Sequence, residues 1–262
     1  MPWYDDEIAG PMGYKHCVLF DCGRDALKAY LWATQWSSSL PENICPAVYQ
    51  AVKKRVMLCP VNQETGLTDH LSVHLYGYQA YNEAPQTEFA LDPLMTGWLR
   101  HLKTDSAVIS FGHKKMLSLG YGGAFLTNEK VLANDMANAT KSHWNECYTQ
   151  PLLEKLARFP EDIQRRREIV DLWDRYLGDS LIRIPQEQIM PWRVMRRAVN
   201  RGQRDNIVGA LRQEGFDVGT NYPPIVGHNL WGDTVLNFFC GPTIRWDIQK
   251  ACEIINGAIE HG

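Results

Sequence analysis

The stretch Ser110–Asn128, SFGHKKMLSLGYGGAFLTN, decides the reading of this chain. It follows an apolar run, Ala107-Val108-Ile109, that predicts a short buried strand, and it ends in a second one, Ala124-Phe125-Leu126. Between them stand a serine, a lysine pair and the glycines Gly120, Gly122 and Gly123. A lysine on a glycine-punctuated turn between two buried segments has its ammonium near low-dielectric surroundings. That lowers its pKa and makes the amine a usable nucleophile. The glycines let a backbone or a flat ligand approach closely. The same spacing also suits a solvated turn with a surface lysine.

Composition narrows the classes around this turn. With 262 residues, the chain has ample length for one large domain or two moderate ones. The hydrophobic share of 45% and charged share of 22% are those of a globular protein. A net charge of −3 gives no bulk basic field for nucleic acid. The basic clusters Arg165-Arg166-Arg167 and Arg193 to Arg204 read as solvated surface, on a helix face and beside a loop. No run approaches the roughly 20 apolar residues of a membrane span. The first residues, MPWYDDEIAG, lack the basic and apolar regions of a signal peptide, so a cytoplasmic protein without membrane partners is expected. The seven cysteines form no C-x-x-C pair, and the eight histidines show no H-E-x-x-H spacing. Reduced thiols and no metal are the expectation.

Toward the N-terminus, Cys17–Phe20 predicts a strand. Asp21-Cys22-Gly23-Arg24-Asp25 follows as a turn, and a helix runs from Ala26 to about Thr34. A helix N-terminus after a glycine turn is a ready anion site, because its first N–H groups are unpaired and its dipole is positive there. An ordinary turn with an Asp cap fits the same residues. Pro41–Val52 predicts a loop and helix, Val56–Cys59 and Leu71–Leu75 predict strands, and Lys130–Asn138 predicts a helix. Ser142–Gln150 is polar and irregular. Toward the C-terminus, Ile163–Leu177, Arg204–Glu214 and a segment around Ala251–Ile259 predict helices, and Phe216–Val218 a strand. G-x-G-x-x-G and G-x-S-x-G are both absent, so neither a dinucleotide loop nor a nucleophile elbow is read.

These segments together resemble the DegT/DnrJ/EryC1/StrS family of sugar aminotransferases, which use pyridoxal 5'-phosphate (PLP). The resemblance is carried by Ser110, Phe111, Lys115, Gly120, Gly122, Gly123, Thr127 and Asn128, by Cys22–Leu27, by His74-Leu75-Tyr76-Gly77, and by the corner Asn221-Tyr222-Pro223-Pro224. It implies an α/β fold of PLP fold type I: a mostly parallel sheet with helices on both faces, then a small C-terminal α+β domain. The implied division is a PLP-binding domain at 1–150 and a small domain at 151–262. Lys115 then carries PLP as a Schiff base, with Lys114 a neighbour, and Gly23, Arg24 and Ser110 hold the phosphate. Cys45 stands near the place of the family's ring-stacking aromatic. Glu83 and Gln86 take the places of an acidic run whose carboxylate pairs with the pyridine nitrogen, with Asp92 second. Asn145 stands near the loop that reaches a neighbouring subunit. Tyr222 and Asn221 stand at the substrate mouth, where Pro223-Pro224 also suits a plain rigid turn.

The chain departs from the family pattern in several places. The segment between His74–Gly77 and Glu83 has no room for a helix plus a strand, so a fold reduced by about one βα unit is expected. Glu83 then also suits a solvated loop. Cys22 replaces a serine, Asn221 replaces a histidine, and the loop near Asn145 lacks the family's glycine and arginine. The expected activity is amino transfer from glutamate to a keto group of a nucleotide-linked sugar, in a homodimer with sites shared between subunits. The alternative is a catalytically degenerate member that keeps the fold and serves as a binding or partner subunit.

Overall fold

The computed structural model describes residues 4–33, 38–54, 56–59, 72–73, 89–91, 106–113, 115–139, 143–185, 191–220, 222, 224–241, 244 and 247–260. The chain opens with a π-helical turn, Asp5–Ala9, continued by α1 (Gly10–Met12). Then come β1 (His16–Phe20), α2 (Gly23–Ala33), β2 (Ser38–Pro41), α3 (Pro46–Val52), β3 (Val56–Cys59), β4 (Ser72–Val73) and β5 (Phe89–Leu91). β6 (Ser106–Ser110), β7 (Gly123–Thr127), α4 (Lys130–Ala139) and α5 (Thr149–Leu177) follow. The last part holds β8 (Ile182–Arg183), β9 (Arg193–Arg197), α6 (Arg201–Gln213), β10 (Val218–Thr220), α7 (Leu230–Thr234), β11 (Val235–Phe239) and α8 (Ile248–Glu260). Among the described residues, no helix is long and apolar enough to cross a membrane.

The main sheet has the order β1-β7-β6-β5-β4. β7 is antiparallel to both β1 and β6, while β6, β5 and β4 are mutually parallel. Four of the five strands therefore share one direction, and β7 alone opposes them. β2 and β3 form a separate parallel pair.

The two-residue alternation of a strand sorts side chains to opposite faces. Val18, Phe20, Val108 and Phe125 pack with Ala26, Leu27, Tyr30 and Leu31 of α2 and with Ala133 and Met136 of α4. Cys17, Leu19, Ile109 and Leu126 point the other way, onto Ile8, Met12 and the first half of α5. Helices thus cover both faces, as a parallel sheet requires.

Residues 74–88 separate β4 from β5 and contain Glu83 and Gln86, both outside the described residues. β5 follows Glu83 in the chain and is parallel to both its neighbours, β4 and β6.

The second sheet, β10-β11-β9-β8, is antiparallel throughout. Its Val194, Leu236 and Phe238 pack with Ile207 and Leu211 of α6, Ala251 and Ile255 of α8, and Trp173 of α5. Trp173 stacks on Phe238 with centroids 4.6 Å apart. α5 starts earlier than its sequence periodicity predicts and carries Pro160 inside it. Leu152, Leu156 and Phe159 are buried in the first core, and that packing outweighs the lost backbone hydrogen bond.

The arginine clusters overturn the expectation of solvated surface in part: Arg165 and Arg201 are exposed, as expected, but four others are not. Arg166, Arg193, Arg196 and Arg204 are all buried. Arg196 pairs with Asp174, Arg204 donates to the Gly232 carbonyl at 2.8 Å, and Arg193 is bound to Asn237 and Asp217. A guanidinium can be buried where fixed acceptors meet its donors, and those acceptors lie far along the chain.

Candidate active site at the carboxyl edge of the main sheet

Strand register brings three segments to one point. Gly123 opens β7 and pairs with Phe20, the last residue of β1, and with Ser110, the last residue of β6. Both carboxyl ends therefore meet there, which is where parallel sheets bind ligands. Cys22 bridges to Gly122, and the Gly122 N–H donates to the Asp21 carbonyl at 2.9 Å. α2 then starts at Gly23, against Ser110.

The packing at this junction leaves no room for side chains. A Cβ on Gly123 would lie 2.4 Å from the Gly23 nitrogen and 2.7 Å from the Ile109 carbonyl oxygen. Gly122 has φ +89°, and a Cβ there would meet the Trp144 ring at 2.3 Å. The glycines fix how closely the first turn of α2 approaches the ends of β6 and β7. The Ser110 hydroxyl accepts the Gly112 N–H at 3.3 Å, which leaves its own proton to donate. Cys22 directs its thiol to Asp25 Oδ2 at 3.3 Å. Arg24, in the first turn of α2, is exposed.

Lys115 stands on the turn between β6 and β7, half-buried, with its backbone N–H on the Gly112 carbonyl at 3.3 Å. Its Nζ lies 4.8 Å from the centroid of the Trp192 ring. Burial lowers the Lys115 pKa to about 8, and a thiolate at nearby Cys45 would raise it. Lys115, His113, Trp192, Arg193, Asp217 and Tyr222 line one cavity of about 350 Å³, together with β10 and Asn237 of β11. The amine thus faces a polar chamber built jointly by the lysine turn and the second sheet.

The sequence-predicted residues divide by placement. Ser110 and Gly23 meet at the sheet edge, while Lys115 and Tyr222 share the cavity, with Cys45 near the amine. Asn145 is exposed and caps a short 3₁₀ turn, its Oδ1 accepting the Cys147 N–H at 3.2 Å. It is absent from the cavity lining. Lys114, Glu83, Gln86, Asp92 and Asn221 lie outside the described residues. Trp192, Arg193, Asp217 and Asn237 escaped the sequence reading. Trp192–Arg197, WRVMRR, does not alternate apolar and polar residues, so its spacing carried no clear strand signal.

The residues present fit a phosphate-bearing aldehyde. A desolvated amine suits the carbonyl. The first-turn N–H groups of α2 and the Ser110 hydroxyl, pressed together by Gly23 and Gly123, suit a phosphate.

No family model matches the chain, and no curated relative matches it. Solved structures do. A DegT DnrJ EryC1 StrS aminotransferase from Brucella abortus is 16% identical, with a TM-score of 0.76 over 97% of this chain and 88% of that one. S. venezuelae DesV, solved with a ketimine intermediate, is 18% identical, with a TM-score of 0.77 over 99% of this chain and 89% of that one. NtdA from Bacillus subtilis, solved with bound cofactor PMP, is 15% identical, with a TM-score of 0.74 over 95% of this chain and 74% of that one. The chain has the fold of the DegT/DnrJ/EryC1/StrS aminotransferases, which is the PLP fold-type I architecture.

Proposed function

We propose that this chain is a PLP-dependent aminotransferase, acting on a keto group of a nucleotide-linked sugar with glutamate as amino donor. The observation that carries the reading is Lys115. It is a half-buried amine with a pKa near 8, held on a glycine turn beside a serine and a helix N-terminus. The fold shared with DesV and NtdA supports it. We take 1–150 as the cofactor-binding part and 151–262 as the C-terminal part, in a cytoplasmic homodimer.

PLP, when bound, supplies a conjugated ring that accepts the electrons released at a substrate carbon. Lys115 holds the cofactor through its amine. With its amine free, Lys115 would be placed to carry a proton to and from the substrate Cα. A pKa near 8 suits both directions of that transfer. The N–H groups of Gly23 and Arg24 and the hydroxyl of Ser110 hold the phosphate. A carboxylate beside the pyridine nitrogen would keep it protonated. Asp92, the residue after β5 in the chain, is favoured over Glu83, because β5 neighbours β6, whose end carries Ser110. Tyr222 and Asn221 contact substrate at the cavity, and Asn145 faces the second subunit.

Borohydride reduction of the full chain with PLP, followed by peptide mapping, tests the reading. A single label on Lys115 is the expected result. Labelling of Lys114 alone, or no specific label, favours a degenerate member of the fold.

A further inference from the structure

Two acids, Asp21 and Asp25, flank the first turn of α2. A carboxylate there is an internal rival for any anion, because it can take the turn's N–H groups for itself. Asp21 is the sharper rival. An aspartate readily accepts the backbone N–H two residues further on, and for Asp21 that residue is Gly23.

Both acids are engaged. Asp25 Oδ2 accepts the Cys22 thiol at 3.3 Å, and its Oδ1 pairs with Lys28 Nζ at 3.2 Å. Asp21 Oδ1 accepts the Tyr121 hydroxyl at 2.5 Å, and its Oδ2 accepts the His143 N–H at 3.4 Å. Of these two bonds to Asp21, the one from Tyr121 is much the shorter and so the stronger. The phenol is itself fixed from two sides: its oxygen accepts the Asn145 N–H at 3.0 Å, and its ring stacks on Tyr148 with centroids 4.4 Å apart. Burial, and after it the Asp21 bond, push the Tyr121 pKa up to about 12, so the hydroxyl stays a donor. The Asp21 main chain is held separately, its carbonyl accepting the Gly122 N–H at 2.9 Å. Loss of the Tyr121 hydroxyl therefore frees the carboxylate to turn about its own side-chain bonds while the backbone stays.

We infer that Tyr121 is a positioning residue of the phosphate turn: its hydroxyl holds the Asp21 carboxylate off the Gly23 N–H and leaves that donor to a ligand phosphate. This rests on the reading that the first turn of α2 takes the cofactor phosphate. Tyr121 acts only through Asp21. It decides which of two anions, the chain's own or the ligand's, meets the turn.

The test is titration of the full chain with PLP and, separately, with pyridoxal, which has the ring and aldehyde but no phosphate. Tyr121→Phe keeps the ring and its stack on Tyr148. It should weaken PLP about three- to tenfold, the size of one net hydrogen bond, and leave pyridoxal within about twofold. A merely structural role, loosening the lysine turn, would weaken both ligands alike. Adding Asp21→Asn to Tyr121→Phe should return PLP affinity to within about twofold of the parent, because a neutral amide of the same shape is the weaker rival. PLP affinity in Tyr121→Phe within twofold of the parent overturns the inference. So does an equal loss for pyridoxal, or a double variant as weak as Tyr121→Phe alone. The two readings fail separately. Inorganic phosphate binding that follows the same pattern, with Lys115 unlabelled, removes the aminotransferase and keeps the role of Tyr121. Labelled Lys115 with PLP affinity unchanged in Tyr121→Phe removes only the role of Tyr121. A parent that binds neither PLP nor phosphate overturns both.

Discussion

Lys115 Nζ lies over the face of Trp192, 4.8 Å from the ring centroid. The ring acts on the amine in two opposing ways. Its π-face attracts the ammonium, which favours the charged form. Its bulk excludes water, which disfavours it. Burial as a whole lowers the Lys115 pKa to about 8, the direction in which exclusion of water acts.

Substituting Trp192 separates the two effects. Trp192→Phe keeps an apolar plate but weakens the cation–π attraction, so the Lys115 pKa should fall by about half a unit, or ~0.7 kcal/mol. Trp192→Ala admits water and should raise it toward the ordinary lysine value of about 10.4. The pH dependence of Lys115 acetylation, followed by mass spectrometry of its peptide, reads both. Shifts of the same sign in the two variants would mean that the ring acts through one effect only.

The same depressed pKa sets a stability prediction. Below pH 8 Lys115 is protonated in both folded and unfolded chains, and the folded state carries the full cost of holding an ammonium out of water. Between about pH 8 and 10.4 the unfolded chain binds more protons, so stability rises with pH as that cost fades. Lys115→Met should therefore be more stable than the parent at pH 7, by about 1–3 kcal/mol. The advantage should vanish above about pH 10. Urea unfolding at pH 7 and pH 10 checks it, and equal gains at both values would assign the effect to packing rather than charge.

Gly123→Ala probes the junction of β1, β6, β7 and α2. The added methyl would meet backbone on every side, with Gly23 Cα at 2.6 Å and the Ile109 carbonyl oxygen at 2.7 Å. Flexible side chains could yield, but these atoms can do so only by moving α2 off the sheet edge. A loss of at least about 2 kcal/mol in urea unfolding is expected. Weaker PLP retention should accompany it, because the first turn of α2 moves away from Ser110. A loss under about 0.5 kcal/mol would show that the junction is slack.

The lysine turn was legible because its signals are local. Two apolar runs flank it, and glycines sit where φ is positive, as at Gly120 and Gly122. The second sheet's part of the site was not. Arg193 and Arg196 look solvated in sequence because Asp217, Asn237 and Asp174 are supplied by other elements. Nothing in the spacing pairs Trp192 with Lys115; only the docking of β9 beside the lysine turn does. The start of α5 was hidden by polar residues and Pro160, and it is defined by the burial of Leu152 and Phe159.

The acid partner of the cofactor ring is decided by two substitutions compared side by side. In a parallel sheet the residues after the strands reach a ligand at the carboxyl edge. β5 is parallel to β6 and ends at Leu91, so Asp92 is the next residue in the chain, whereas Glu83 precedes β5 by several positions. Asp92→Asn keeps the shape and removes the charge that stabilises a protonated pyridine nitrogen. Its turnover should drop by about 2–4 kcal/mol of transition-state stabilisation, or roughly thirtyfold or more, with PLP still bound through Lys115 and the phosphate contacts. Glu83→Gln should stay within about twofold of the parent, as a residue before the strand. Half-reaction rates with glutamate, followed by the cofactor's spectral change, separate the two. A large loss in Glu83→Gln with a parent-like Asp92→Asn would return the role to Glu83, and would mean that the chain before β5 folds back over the sheet edge to reach the ring.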